Sequence, residues 1–449
     1  MHVRLAAAVL SLAACKFPRP PDVADDDVTD ATPALDATTD TPLACEPSSI
    51  TCDDARGEYV ACSPTGTVDV ALHCPLGCAP DAEKCLDIDP HNGLAMYLDM
   101  VDAPPDLTLN GPATINTVTG AILDQGVGKI VPTFLQEHPD GTALRVYVVG
   151  DFNVLGAVSF PPAGAERAYQ PAVAFVAAGS IHVSAPMTLA ARGATPGAGG
   201  HPADAADSSS CIGGDASAAP PAASRGAGGG GGFTRGGNGG ESSTSSTELG
   251  GVPRVSIEPL DGGCAGGTVY NLNDSAWLAR GGSGGGAIHL ASRTEIRFDG
   301  AAAIDASGGG GGAYPRIGGG GGGAGGIVLL EAPQVILNGP TVVISTKGGG
   351  GGGGSGATAG TAGSDGGTSA TAATGGTSSV QAPGGAGGTN VPPQPGAVYQ
   401  ATMYGGSGGG GGSAGMTAAF TTVGAIAPQN GAVIRGPLST DRLRLRRIP

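Results

Sequence analysis

The sequence predicts an all-β chain, a three-sided parallel β-solenoid with long glycine-rich loops behind a small disulfide-rich module, and three observations predict it. First, one unit occurs twice between Gly286 and Thr346. Its first copy reads Ala287-Ile-His-Leu, Ile296-Arg-Phe-Asp-Gly300 and Ala303-Ile-Asp-Ala306; its second reads Ile327-Val-Leu-Leu, Val335-Ile-Leu-Asn-Gly339 and Val342-Val-Ile-Ser-Thr346. Ile288 matches Val328, Ile304 matches Ile344 and Gly308 matches Gly348, all at a spacing of 40. Three short apolar strands closed by a glycine run are what one solenoid turn would look like. Second, strand-like runs follow one another with no helical period between them, which argues against βαβ units. Third, glycine supplies 85 of 449 residues and aromatics only 4%, against a usual glycine share of about 7%. Such a chain cannot build a thick globular core, but it can build a thin ladder of Ile, Val, Leu and Ala.

Net charge is −16 with only four lysines, Lys16, Lys84, Lys129 and Lys347. Nucleic acid is therefore not an expected partner, since it wants clustered Lys and Arg.

Residues 1–14 read as a signal peptide. Arg4 gives a positive start, and Leu5 to Ala14 is an apolar run of ten residues, too short to span a bilayer. The run ends in Leu12-Ala13-Ala14-Cys15, which resembles a bacterial lipobox. That resemblance implies a lipid on Cys15, with Cys15 as the new N-terminus, and a membrane attached through that anchor. Lys16 follows where inner-membrane retention is associated with aspartate, so the outer membrane or cell surface is the expected address. Residues 15–44 form a linker with Pro18, Pro20, Pro21, Pro33 and Pro42 and seven aspartates from Asp22 to Asp40. Prolines and like charges extend a chain. The run Asp25-Asp26-Asp27 lacks the alternating ligands of a calcium loop.

Nine cysteines are present; setting aside Cys15 leaves an even number. Cys45, Cys52, Cys62, Cys74, Cys78 and Cys85 fall within residues 45–92. In an exported chain they read as a disulfide module with fifteen connectivities open. Zinc is the rival at Cys74-x3-Cys78 beside His73, but an oxidising compartment favours disulfides. Cys74-Pro-Leu-Gly-Cys78 with Cys85 resembles cysteine-rich modules placed before repeats in bacterial surface lipoproteins, which implies a spacer or cap.

The solenoid is expected over 93–449. Leu107-Thr-Leu-Asn-Gly, Thr114-Ile-Asn-Thr, Ala121-Ile-Leu-Asp, Ala143-Leu-Arg-Val-Tyr-Val-Val-Gly150 and Phe152-Asn-Val-Leu-Gly156 read as strands bounded by turn residues. Val173-Ala-Phe-Val176, Ile181-His-Val183 and Met187-Thr-Leu189 read as a further turn. Glycine-rich excursions are expected at about 193–286, 308–326 and 348–396, all leaving after a third strand and returning before a first one, at Ala287, Ile327 and Ala397. They would then project from one corner and pack side by side as extended, polyproline-II-like segments. Within the first, Cys211 and Cys264 would staple the loop, and Val269–Leu272 with Ala276–Leu278 would pin it to the solenoid's side. Ala397 to Tyr404 reads as a further strand. Leu443 to Ile448 is expected to form or flank the last one, leucines inward and arginines outward, blunting the open end.

Ile288-His-Leu290, Ile296-Arg-Phe-Asp-Gly300, Ile304-Asp-Ala306 and their second copies resemble glycine-rich right-handed β-helix proteins of bacterial surfaces, the pectin-lyase-like solenoids in the broad sense. The resemblance implies a right-handed parallel β-helix. It also implies a non-catalytic structural, adhesive or display role, with extracellular polysaccharide or another surface protein as partner. Its alternative is a polysaccharide lyase or glycoside hydrolase on the same scaffold. Candidate catalytic groups for that alternative are Glu295, Asp299, Asp305 and Glu331 with Arg293 and Arg297. Strand alternation sends His289, Arg297 and Asp305 outward to a solvated face. Ser345 stands where the first copy has Asp305, so no carboxylate row is expected, and Asp299 and Asn338 precede turn glycines. His182 and His289 are expected as exposed strand histidines, not metal ligands. No phosphate-loop pattern occurs and no collagen period. No catalytic residue, metal or cofactor is assigned.

Overall fold

The computed structural model describes residues 45–448 apart from 54–57, 75, 80–83, 162–168, 204–210, 219–222, 243–246, 255–256, 272–276 and 401–404. Residues 1–44, with the expected signal segment, Cys15 and the expected linker, lie outside the described residues.

Strands dominate, and three mainly parallel sheets hold most of them. The first sheet runs, in spatial order, through Thr133–Glu137, Ala143–Val149, Ala172–Ala177, Ala287–Ser292, Ile327–Glu331, Met416–Thr421 and Leu438–Arg442. The second contains Leu107–Leu109, Phe152–Val154, Ile181–Val183, Glu295–Phe298 and Gln334–Leu337. The third holds Ala113–Ile115, Val158–Ser159, Pro186–Thr188, Ala303–Asp305, Val343–Ser345 and Val433–Arg435, with Ile122–Asp124 and Val127–Lys129 folded back on its first edge.

The repeat read in the sequence is the register of these sheets. Ile288 lies opposite Val328 and Ile304 opposite Ile344. One repeat earlier, Val173 lies opposite Ile288, Ile181 opposite Ile296 and Met187 opposite Ile304. Side chains alternate, so Phe175, Leu290, Ile296, Phe298, Ile304, Leu330 and Ile344 meet in one core between the three sheets. Tyr147, Phe175 and Phe152 stack inside it, with ring centroids 5.0 and 4.3 Å apart. At the return from second to third sheet, Gly300 takes a φ of +58, which suits the Asp-Gly turn expected there.

The outward face of the first sheet is not solvated. Ala174, Ala287, Ala291, Leu329 and Ala418 pack beneath Tyr97 and Leu98 of a short helix, α1 (Ala95–Met100), and beneath Leu94 and Leu260. Small outward residues let that cover approach closely. The outward His289 and Glu331 are consequently fully buried, which corrects the expected exposure of His289.

The six clustered cysteines pair as Cys45–Cys62, Cys52–Cys78 and Cys74–Cys85. Cys74 and Cys78 thus serve two disulfides, not a zinc ion. The chain's end differs from expectation. Leu438–Arg442 is the last strand of the first sheet, and Leu445–Ile448 pairs antiparallel with Cys85–Ile88 of the cysteine module. Leu443 is buried, as expected, but Leu445 is 44% exposed. Arg446 instead donates to buried Asp87 at 2.9 Å and to Asp99 at 2.6 and 2.7 Å. Both acidic partners of Arg446 lie about 350 residues earlier, beyond any local pattern.

Candidate functional site

The excursions leave and return at equivalent points. The N–H of Gly286 donates to the Leu189 carbonyl, Gly326 to Ala306 and Gly415 to Thr346, at 2.9, 2.7 and 2.7 Å. The third excursion therefore runs to Gly415. Its expected return at Ala397 is corrected, because Met416–Thr421 is the strand that pairs with Ile327–Glu331. In place of a strand pairing Tyr399 forms an isolated bridge to Ser242, and residues 401–404 fall outside the described set.

Between those points the glycine runs form an ordered slab. Its central segment, 317–326, donates backbone hydrogen bonds in three interleaved sets. Gly319, Gly322 and Gly325 donate to Ser407, Gly410 and Ser413 at 2.8–2.9 Å. Gly320, Gly323 and Gly326 donate to Gly312, Gly309 and Ala306, while Gly321 and Ala324 donate to Gly267 and Cys264. Carbonyls of the same segment accept from Ala227 and Gly230, from Gly349 and Gly352, and from Gly282 and Gly285. A step of three between donors to one neighbour is the repeat of polyproline II. Such a helix turns its polar groups outward, where other segments can satisfy them. Here six neighbouring segments do so.

That packing leaves no room for side chains. A Cβ on Gly326 would sit 1.7 Å from the Gly286 carbonyl oxygen, and one on Gly322 2.2 Å from that of Gly349. Glycine's entropic cost on ordering is offset by hydrogen bonds on all sides. The Cys211–Cys264 disulfide crosses the largest excursion, as expected.

Side-chain chemistry is thereby confined to the slab's faces and turns. At the end away from the sheets several turns meet. The Arg316 N–H donates to Gly356 at 2.7 Å and Gly356 to Ser379 Oγ at 2.9 Å. Ser355 donates to Ile317, Gly406 to Ser355, Ser224 to Gly405 and Gly312 to Arg280. Beneath them Ala216, Ala227, Val269, Ala279 and Ile317 form a small buried cluster. Ala216–Ala218, Val269–Asn271 and Trp277–Ala279 form a three-stranded sheet there. The runs expected to pin the loop to the solenoid's side instead brace this end. Arg225 and Glu248 pair at 2.7 Å. Tyr314 is 45% exposed, and the Tyr399 ring lies against Gly405, where a Cβ would come within 2.5 Å. Arg316 and Gln381 hold φ of +66 and +64, a region L side chains seldom occupy.

The groups considered for catalysis do not converge here. His182 Nε2 meets Asp299 at 2.9 Å and Arg297 Nε meets the same carboxylate at 3.1 Å. Burial opposes ionisation of Asp299, but these cationic and hydrogen-bonding partners hold it below the usual carboxylate range. Asp305 lies opposite Ser345; burial raises it, against hydrogen bonds from Ser307. Arg293 makes two bonds to Asp87, at 2.9 and 2.8 Å, and Glu295 is a half-buried strand residue. Glu331 bridges two histidines, His91 Nδ1 at 2.5 Å and His289 Nε2 at 2.6 Å. Burial pushes Glu331 up, but the charge and hydrogen bond of His289 and the hydrogen bond of His91 outweigh it and bring it to about 2. His182 and His289 belong to different sheets and do not stack. Sequence reasoning names Glu331 only as a candidate catalytic group, and misses both its bridge between two histidines and the meeting of turns. An acidic residue closing the apolar run Ile327-Val-Leu-Leu-Glu331 was the one available signal for the former.

No family model, curated protein or solved structure matches the chain.

Proposed function

We propose that the chain is a non-catalytic, exported surface lipoprotein in which a right-handed β-solenoid holds the glycine slab as a rigid platform for adhesion or display. The observation that carries this reading is the slab's three-way hydrogen bonding, which gives long glycine runs the fixed geometry of a scaffold instead of the freedom of a linker. A solenoid is supported by sheets in which each strand pairs with its counterpart one repeat later. Right-handedness follows from the near-universal hand of parallel crossovers. Export is supported by eight cysteines paired in four disulfides, a state favoured by oxidising compartments. Anchoring rests on Leu12-Ala-Ala-Cys15, with the acidic linker to residue 44 as a spacer between membrane and cysteine module.

Metabolic labelling with a radioactive or clickable fatty acid tests the reading in producing cells. The intact chain should take up label and be cleaved by protease added outside; Cys15→Ser should lose the label and leave the membrane fraction. An unlabelled intact chain, or one retained inside the cell, would contradict it.

A further inference from the structure

Where the first excursion leaves the third sheet, the outward side chains line a cavity of about 410 Å³. We infer that this cavity binds a small hydroxylated carboxylate, of the sugar-acid kind, through Arg192. The inference rests on the platform reading above for its adhesive role and names the ligand class that role would use.

Strand alternation builds the cavity. Met187, Leu189 and Ala191 are buried, so Thr188, Ala190 and Arg192 fall in one outward row. The row stays extended past the end of the strand, because the N–H groups of Leu189 and Ala191 donate to Asp305 and Ser307 at 2.7 and 2.8 Å. Ser159 lies beside Thr188 on the neighbouring strand. A locked turn closes the row. Arg192 and Thr195 exchange two backbone bonds at 2.9 Å. Gly193 between them holds a φ of +51 and donates to Asp365 at 2.8 Å. Thr195 and Pro196 thereby line the same cavity as Thr188 and Arg192, together with Phe160 from the preceding repeat.

Arg192 is the one charged residue of the lining. It is exposed, and among the described residues no carboxylate pairs with its guanidinium. Its planar fork matches a carboxylate bidentately. Asp305, opposite Thr188 on the next strand, acts on Arg192 at longer range. Burial pushes that carboxyl up, and the Ser307 N–H at 3.2 Å holds one of its oxygens, so the fork stays open to a ligand. The hydroxyls of Ser159, Thr188 and Thr195 both donate and accept, as a ligand rich in hydroxyls requires. Phe160, Ala190 and Pro196 offer an apolar wall to the C–H face of a sugar ring. An extended peptide fits less well: the N–H groups of Leu189, Ala191, Arg192 and Thr195 are already bonded, which leaves little main chain to pair with. The volume lies near the lower end for ligand pockets, which suits a single ring with its acid group.

Calorimetric titration of the full chain in detergent tests this, with glucuronate and galacturonate as probes and glucose and galactose as their uncharged counterparts. The acids should bind about tenfold or more tightly than the neutral sugars, since the bond to Arg192 is charge-assisted. Arg192→Ala should abolish that preference, and Thr188→Val, which keeps the side chain's shape, should weaken acid binding about threefold. Arg442→Ala, on the last strand of the first sheet, should change nothing, and all three variants should keep the Tm of the unaltered chain. A disaccharide ending in glucuronate separates two sources of the same chemistry: if it binds as the free acid does, the ligand is the end of a glycan; if only the free acid binds, it is a small solute. Three results overturn the inference: no acid binds, acids and neutral sugars bind alike, or the preference survives Arg192→Ala. The first two are read on the unaltered chain and do not depend on a variant's folding. None of the three bears on the fatty-acid labelling or on amide protection in the slab, so a failure here is distinct from a failure of the platform.

Discussion

Gly322 shows how narrowly one residue is specified. Its missing Cβ would lie 2.2 Å from the Gly349 carbonyl oxygen and 2.8 Å from the carbonyl carbon, and neither backbone atom can swing away as a side-chain tip could. Gly322→Ala should therefore cost at least ~2 kcal/mol, the upper part of the range for overpacking, read as a fall in Tm or denaturant midpoint. Gly367 has nothing within 4 Å of its Cβ position, and Gly367→Ala should change stability by less than about 0.5 kcal/mol. Equal effects at the two sites would contradict the packing. This distinction was not legible in the sequence, because both residues sit in glycine-rich surroundings. The difference lies in what approaches them from 27 or more residues away. The strand residues were more readable: Ile288, Ile304, Val328 and Ile344 alternate with outward neighbours, and alternation alone fixes which side faces the core.

Between elements, the contact that most needs explanation joins the segment before α1 to the first sheet. His91 lies in a 3₁₀ turn, His91–Gly93, and meets Glu331 through its ring at 2.5 Å and its backbone N–H at 2.8 Å. His289 meets the same carboxylate from the adjacent strand, and Phe420 lies against the His91 ring with centroids 4.4 Å apart. Since the carboxyl is held at about 2 in the fold, below an unfolded value of about 4.3, the unfolded chain binds more protons between those values. The stabilisation from Glu331 is present above about pH 4.3 and is lost as pH falls through about 2. Glu331→Gln should be less stable at pH 7 by a few kcal/mol, since it removes the charge between two buried histidines. It should also flatten the acid limb of the stability–pH curve between pH 4.5 and 2. A variant with an unchanged acid limb would show that Glu331 does not hold this cover in place. The strands in this arrangement were legible from their period. The latch was not, because 240 residues separate His91 from Glu331 and no local pattern links them. The same reason accounts for the tail. Leu443–Ile448 is expected from its pattern to form or flank the last strand; Leu443 does follow Leu438–Arg442 and is buried, but Leu445–Ile448 pairs with Cys85–Ile88, near the start of the described chain.

For the whole molecule, two structures share one scaffold: three sheets with a thin apolar core, and a slab with almost no side chains at all. The exit of all the excursions from one corner was legible, because a fixed repeat brings every third-strand end into line. The place where the last excursion ends was not, because Ala397-Val-Tyr-Gln-Ala-Thr-Met-Tyr404 has the apolar content of a strand but lies within the slab. The central claim is that the glycine runs are hydrogen-bonded structure, and native-state amide exchange tests it most directly. Residues 318–326, 349–354 and 408–413 should exchange slowly, with protection comparable to Ile327–Glu331 of the first sheet, since opening one slab segment breaks bonds to several neighbours at once. Exchange through these glycines at the rate of an unstructured chain, with protection confined to the sheets, would contradict the account.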